Sequence, residues 1–207
     1  TIISILMKYE INNILKKKYE YCVLIFCINE GKRLHSQIKK ISKLNILADI
    51  VIVDGGSTDN TIDENLFLDS NISTVLIKKS YGYLGTQMRI GFDWAIKNDY
   101  KGIIVMDGND KDDPKDINSF INKLKQGFDH IQGSRFVTNG FHQNTPLIRI
   151  LAIKYIHSII LNFFSKFKYT DTTNGFRGYS NKLIQSKKIN IFKIIFEGYE
   201  VHYYLAL

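Results

Sequence analysis

The run from Met106 through Asp107, Gly108, Asn109, Asp110, Lys111, Asp112 and Asp113 to Pro114 places several carboxylates directly after the apolar stretch 102–106. Oxygen ligands two residues apart, here Asp107 and Asn109, can chelate one hard cation, and Mg²⁺ or Mn²⁺ held there would bridge them to a diphosphate. Asp112, Asp113 and Asp116 read differently: with Pro114 they make the acidic start of a helix, for which a solvated turn suffices. Asp107 resists that reading, because it stands where strand burial ends and an unpaired carboxylate there is costly without a partner.

A second polar turn, Asp54-Gly55-Gly56-Ser57-Thr58-Asp59, follows another apolar run. Its glycines permit a tight turn in which Asp54 can accept hydrogen bonds from a base or ribose. Ser57, Thr58 or Asp59 would equally well cap a following helix, and the turn alone does not decide between the two. Further along, Asp171 to Arg177 combines an acid, a glycine and an arginine suited to phosphate. Gly133-Ser134-Arg135 offers a second cation after the strand-like His130-Ile131-Gln132. Each of these has a structural alternative, a turn with a surface ion pair.

The elements that must carry these residues alternate. Cys22 to Phe26, Asp49 to Val53, Thr74 to Ile77 and Gly102 to Met106 are short apolar runs. Helical spacing appears in Leu34, Ile38, Ile41 and Leu44, and again in Met88, Gly91, Phe92, Ala95 and Ile96. This order predicts an α/β domain, Rossmann-like, with a mostly parallel central sheet and flanking helices. Ligands of such sheets bind beyond the carboxyl ends of the strands, so Asp54 and Asp107 are expected on one edge. At 207 residues a single domain is expected, with residues 1–20 as an N-terminal extension and 21–207 as the domain proper. Cys22 and Cys27 lie in or beside one strand and read as buried free thiols. A net charge of +8 favours anionic partners, while scattered basic residues without a recognition motif argue against nucleic acid. No apolar stretch reaches the roughly 18 residues of a membrane span, and no signal-peptide pattern opens the chain.

Taken in order, these segments resemble the family 2 inverting nucleotide-sugar glycosyltransferases, which share the glycosyltransferase A fold. The nearest branch is that of the dolichol-phosphate and polyprenyl-phosphate sugar transferases. Phe26-Cys27-Ile28-Asn29-Glu30 stands where that family has Pro-Ala-Tyr-Asn-Glu. Asp54 to Asp59 resembles its Asp-rich turn, and Leu84-Gly85-Thr86 with Arg89 and Gly91 resembles its glycine-containing helix start. Asp107-Gly108-Asn109 occupies the Asp-x-Asp position, and Asp171 to Arg177 matches Asp-x-x-x-Gly-Phe-Arg. The resemblance implies a nucleotide-sugar site of Phe26 and Ile28 (backbone contacts to the base), Glu30 (ribose), Asp54 (base), Ser57, Gly85, Arg89, Asp107, Gly108 and Asn109. It implies Mg²⁺ or Mn²⁺ at Asp107 and Asn109, with Asp107, Asp171 and Arg177 as catalytic residues. Asn109 and Lys111 depart from the pattern and imply weaker cation binding, for which Asp110 would compensate. The chain also stops, at Leu207, where the family continues through another strand, so a C-terminal truncation is expected.

Two acceptors remain open. A hydroxyl, as in cell-surface polysaccharide synthesis, needs a general base, for which Asp171 and Glu200 are candidates. A polyprenyl phosphate is already anionic and needs positioning cations instead, for which Arg135 and Arg177 serve. Ile148, Leu151, Ala152, Tyr155, Ile156, Ile159, Ile160 and Phe163 recur at helical spacing among basic residues, as either a core helix or a helix resting on an anionic bilayer. The second case predicts a cytoplasmic protein peripheral to the membrane. A sugar-phosphate nucleotidylyltransferase and a non-catalytic nucleotide-binding module are the competing readings.

Overall fold

The computed structural model describes residues 7–136, 170–171, 173–193, 197–198 and 200–205. Its centre is a run of parallel strands: β2 (Tyr21–Cys27), β3 (Asp49–Asp54), β4 (Ile72–Lys78) and β5 (Gly102–Asp107). β2 is buried at every position, because its odd-numbered residues face one core and its even-numbered residues face the other. A strand covered on both faces must be apolar throughout, and each fully buried Val, Leu or Ile contributes roughly 1.5–3 kcal/mol.

The sheet has seven strands in the order β1-β4-β3-β2-β5-β7-β6 and is mixed rather than mostly parallel. Antiparallel strands close both edges: β1 (Tyr9–Asn13) pairs with β4, while β7 (Arg177–Ser180) pairs with β5 and with β6 (His130–Gln132). Residues expected as an N-terminal extension therefore supply an edge strand. β1 is short and largely exposed on both faces, so it has no apolar alternation to betray it.

On one face lie α1 (Lys32–Ile41), α2 (Glu64–Asp69) and α4 (Ile117–Lys125), the last entered through a short 3₁₀ turn at Pro114–Asp116. α1 buries Leu34, Ile38 and Ile41 and leaves Lys39 and Lys40 in water, as its periodicity predicts. Asp113 caps the 3₁₀ turn by accepting from Lys115 N at 3.0 Å, with Pro114 following at a position that needs no N–H. On the other face α3 (Leu84–Lys97) crosses the sheet so closely at Gly91 that a Cβ there would stand 2.8 Å from Leu24 Cδ1. Two short helices, α5 (Asn181–Ile184) and α6 (Glu200–Tyr204), complete that layer. Cys22 and Cys27 are free and buried.

Candidate active site

The strand register decides where the carboxylates go. Cys27 lies opposite Asp54, and Phe26 lies opposite Asp107, so the ends of β3 and β5 flank the end of β2 on one edge. Gly55 N donates to Cys27 O and Gly108 N to Phe26 O, both at 2.8 Å, which fastens the outgoing loops to the central strand. Two buried glutamines extend this. Gln87 on α3 donates to Cys27 O at 2.9 Å and Val53 O at 3.1 Å. Gln37 on α1 donates to Asp107 O at 3.1 Å and accepts from Asp110 N at 3.2 Å. A polar side chain inside an apolar helical stripe was the available signal for both.

The turn after β3 is self-satisfied. Asp54 is fully buried; Oδ2 accepts from Gly56 N and Ser57 N at 2.8 Å, and Oδ1 from Ser57 Oγ at 2.5 Å. Those bonds make Asp54 the anchor of the turn. Ser57 Oγ also accepts from Asn29 N at 2.9 Å, and Asn29 Oδ1 accepts from Thr58 N at 2.8 Å, so the β2 and β3 loops are laced together. The cap of α2 comes from Asp63, which accepts from Leu66 N at 3.0 Å, and not from Ser57, Thr58 or Asp59. Phe26 is buried with its carbonyl committed to Gly108, whereas Ile28 is 53% exposed at the edge and free to form an apolar platform. Glu30 pairs with Arg33 at 2.8 Å.

Asp107 is the open group. Its carboxylate makes no hydrogen bond among the described residues, and Gly175 faces it, where a Cβ would come within 3.1 Å of Oδ2. Burial pushes its pKa up, with Lys111 opposing and Glu30 adding to the rise. Asp112, expected in a solvated turn, belongs here as well. Burial first, then the charge of Asp107, raise it to about 7, while Arg135 and Lys111 oppose. Asp110 is tied to α1, its Oδ2 accepting from Ser36 Oγ at 2.8 Å and Lys40 Nζ at 2.7 Å, while its buried Oδ1 has no hydrogen-bond partner among the described residues. Asn109 Oδ1 accepts from Lys111 N at 3.2 Å.

A desolvated carboxylate without a hydrogen-bond partner, Asp107, whose charge also raises the pKa of Asp112, suits a divalent cation. No group of three or more His, Cys, Asp or Glu side chains among the described residues could hold one unaided. Asp107 and Asp112 fit the Mg²⁺-like case, in which one or two carboxylates and substrate phosphates share the ion.

Beside them Arg135 grips Asp171. Nε and Nη2 donate to its two oxygens at 2.7 and 3.0 Å, Nη2 also reaches Thr173 Oγ1 at 2.8 Å, and Thr173 N adds a bond at 3.2 Å. Asp171 is fully buried, which alone would raise its pKa, yet these partners hold it below the usual range. That saturation fits an anchor for Arg135 better than the expected base. Arg177, expected to meet a phosphate, is 2% exposed and donates to His202 O at 2.7 Å and Asn174 O at 3.0 Å. Arg89 is likewise buried, donating to Thr86 Oγ1 at 2.8 Å and Lys193 O at 3.2 Å, and Gly85 N donates to Glu197 O at 2.8 Å. These residues tie the C-terminal segment to the sheet. Glu200 accepts from Glu197 N and Gly198 N at 2.9 Å, and backbone N–H groups, its own first and then these, lower its pKa. The apolar face expected over 148–163, with Arg149, Lys154 and His157, lies outside the described residues.

Behind Arg177, the His130 ring stacks on Tyr179 with centroids 5.3 Å apart, and His202 Nδ1 lies 3.1 Å from the Tyr179 hydroxyl. Burial and Arg177 depress both imidazoles, His130 to about 4 and His202 well below its usual value. The unfolded chain therefore takes up protons near pH 6.5 that the native state refuses, so stability falls as pH drops from about 6.5 toward 4. Allowing for its partial exposure, His130 should remove about 1–2 kcal/mol between pH 7 and 5, with His202 adding in the same direction. Urea titrations at both values should show this loss, and His130→Gln should flatten it.

Comparison with known proteins follows this geometry. The glycosyl transferase family 2 pattern matches residues 22–189. The polyprenol monophosphomannose synthase of Mycolicibacterium smegmatis is 27% identical over 184 residues, covering 86% of this chain and 67% of that protein. The dolichol-phosphate mannosyltransferase of Pyrococcus furiosus is 28% identical over 184 residues, covering 84% of this chain and 51% of that protein. Glucosyl-3-phosphoglycerate synthase of Mycobacterium tuberculosis, solved with Mn²⁺, uridine diphosphate and phosphoglyceric acid, superposes with a TM-score of 0.58 at 16% identity. That superposition covers 79% of this chain and 56% of the solved one, and it shows the shared glycosyltransferase A fold. A carboxyl-edge site on that fold, with a family pattern running from β2 to beyond α5, leaves one assignment: the chain belongs to glycosyl transferase family 2.

Proposed function

We propose that residues 21–207, with the edge strand at 9–13, form the catalytic unit of an inverting glycosyltransferase that moves a sugar from a nucleotide diphosphate to a polyprenyl phosphate. The observation that carries this reading is the open Asp107 carboxylate beside Asp112, at the edge where the β2 and β3 loops present Ile28 and Glu30. Asp107 and Asp112 would hold Mg²⁺ or Mn²⁺, which when bound offsets charge developing on the leaving diphosphate. Ile28 and the glycine-rich turn after Asp54 would receive the base, and Glu30 the ribose.

The acceptor follows from what the two candidate bases are doing. Asp171 and Glu200 are both engaged as acceptors of several N–H groups, and both have lowered pKa values. An acceptor that is already anionic needs neither. Arg135 keeps its Nη1 edge uncommitted among the described residues while Asp171 fixes its direction, which suits a phosphate oxygen. The names of the two mannosyl-lipid relatives support the same acceptor class. No described helix is long and apolar enough to cross a membrane, so contact with an anionic bilayer would be peripheral. Radiolabelled nucleotide sugars incubated with polyprenyl phosphate and Mn²⁺ should move label into the organic phase. Label moving only to water or to a free sugar hydroxyl would defeat the lipid acceptor.

A further inference from the structure

The helix α1 contains Lys32, Arg33, Lys39 and Lys40, with Lys43 just past its end, and no Asp or Glu. Two of these cations find acids outside the helix: Arg33 pairs with Glu30 at 2.8 Å and Lys40 with Asp110 at 2.7 Å. Lys32, Lys39 and Lys43 are exposed, and their ammonium groups make no hydrogen bond or ion pair among the described residues. With Ser36 they recur at i, i+4, i+7 and i+11, which aligns them along one stripe of the helix. The turn continues as far as Lys43, whose N–H donates to Lys40 O at 3.3 Å. Flanked by His35 and Lys40, the stripe lines a shallow hollow of about 410 Å³. Lys39 and Lys43, four residues apart, repel each other, and Lys32 in the first turn stands against the helix dipole. The dipole accounts for cations in the last turn and not for a stripe that runs the length of the helix.

We propose that the stripe of Lys32, Lys39 and Lys43 is the surface by which this chain rests on an anionic phospholipid bilayer. From Lys32 to Lys43 it extends about 16 Å at the α-helical rise, too long for one soluble phosphate and suited to a row of headgroups. Lysines are flexible, strongly hydrated point charges that fit a fluid charged layer, whereas a built phosphate pocket uses fixed donor forks. No aromatic ring lines the hollow for a base to stack on, which sets it apart from a single-stranded nucleic-acid surface. α1 starts at the loop bearing Glu30, and its Ser36 and Lys40 hold Asp110 from the loop after β5. A bilayer under the stripe therefore runs beside the carboxyl edge, where the acceptor phosphate would enter. The inference rests on the lipid-acceptor reading above for its choice of a bilayer among anionic surfaces.

Cosedimentation with vesicles of phosphatidylcholine, and of phosphatidylcholine mixed with phosphatidylglycerol, tests this in the whole chain. The stripe variant combines Lys32→Gln, Lys39→Gln and Lys43→Gln, which keep helix propensity and remove only charge. A control variant combines Lys182→Gln, Lys187→Gln and Lys188→Gln, the same loss of charge at exposed positions in the opposite layer. Wild type should bind the phosphatidylglycerol vesicles alone, and salt should release it. The stripe variant should bind them about 10²-fold more weakly, roughly fivefold per lysine, with the control within about threefold of wild type. Transfer to polyprenyl phosphate in detergent micelles should be the same in all three proteins, while transfer to acceptor embedded in anionic vesicles should fall in the stripe variant alone. Equal binding of wild type to both vesicle types, no binding to either, or an equal loss in the two variants would overturn the bilayer surface. Tighter binding of wild type to polyuridylate RNA than to vesicles, lost in the stripe variant, would overturn it in favour of nucleic acid. Vesicle binding as expected, with no transfer to polyprenyl phosphate in micelles, would overturn the lipid acceptor and leave the docking surface standing.

Discussion

Asp107→Asn is expected to lower sugar transfer by about 10²- to 10³-fold while leaving the thermal midpoint unchanged or slightly raised. The carboxylate ends β5, is desolvated, and has no hydrogen-bonding partner among the described residues. Its charge costs the folded state something, and burial raises its pKa to match. Asparagine keeps the shape, still fits against Gly175, and removes that cost together with the negative charge on which a cation depends. Loss of function without loss of stability marks a residue held for chemistry. Initial rates and thermal melts of the same preparation check this. Activity retained within fivefold, or a midpoint lowered by several degrees, would show that Asp107 serves the fold instead.

Asp171→Asn should behave in the opposite way and lose both. The carboxylate is fully buried and accepts from Arg135 Nε, Nη2 and N and from Thr173 N. Its removal leaves the guanidinium charge uncompensated in a partly buried setting, at a cost of about 3 kcal/mol. For a chain of this length that is a fall of about 6–12 °C in the midpoint. Activity should fall about 10²-fold, because Arg135 loses the partner that aims it toward the acceptor. Arg135→Lys tests the aiming separately: an ammonium cannot reproduce the bidentate grip, so the KM for polyprenyl phosphate should rise more than kcat falls. An Asp171→Asn enzyme with normal stability and a shifted pH optimum would restore Asp171 as a general base.

The central strands were legible because they are buried on both faces and therefore apolar without interruption; β2, β3 and β5 fall within a residue or two of their expected bounds. The antiparallel edges were not. β1 has a single chain neighbour and little burial, and β7 looks like a motif, Arg177-Gly178-Tyr179-Ser180, because its apolar contact is made by an aromatic and a backbone glycine. Asp107 was recognisable from its place at the end of a buried strand. Asp112 was not, since a sequence of acids before a proline describes a helix start equally well, and its burial and its coupling to the charge of Asp107 arise only in the folded loop. Asp54 and Arg177 show the converse. Their residue types suit nucleotide and phosphate, but Asp54 accepts from Gly56 and Ser57 within its own turn, while Arg177 donates to the distant His202 carbonyl, a partner that the sequence does not reveal.

The stereochemistry of turnover tests the central claim most directly. Proton NMR of the anomeric signal during reaction of α-linked nucleotide sugars with polyprenyl phosphate and Mn²⁺ reports both whether a donor is consumed and which anomer forms. A single displacement at the carboxyl edge of the sheet, with the acceptor opposite the diphosphate, predicts a β-linked product from at least one donor. An α-linked product would contradict the inverting geometry, and a panel of nucleotide sugars left wholly unconsumed would contradict the donor site itself.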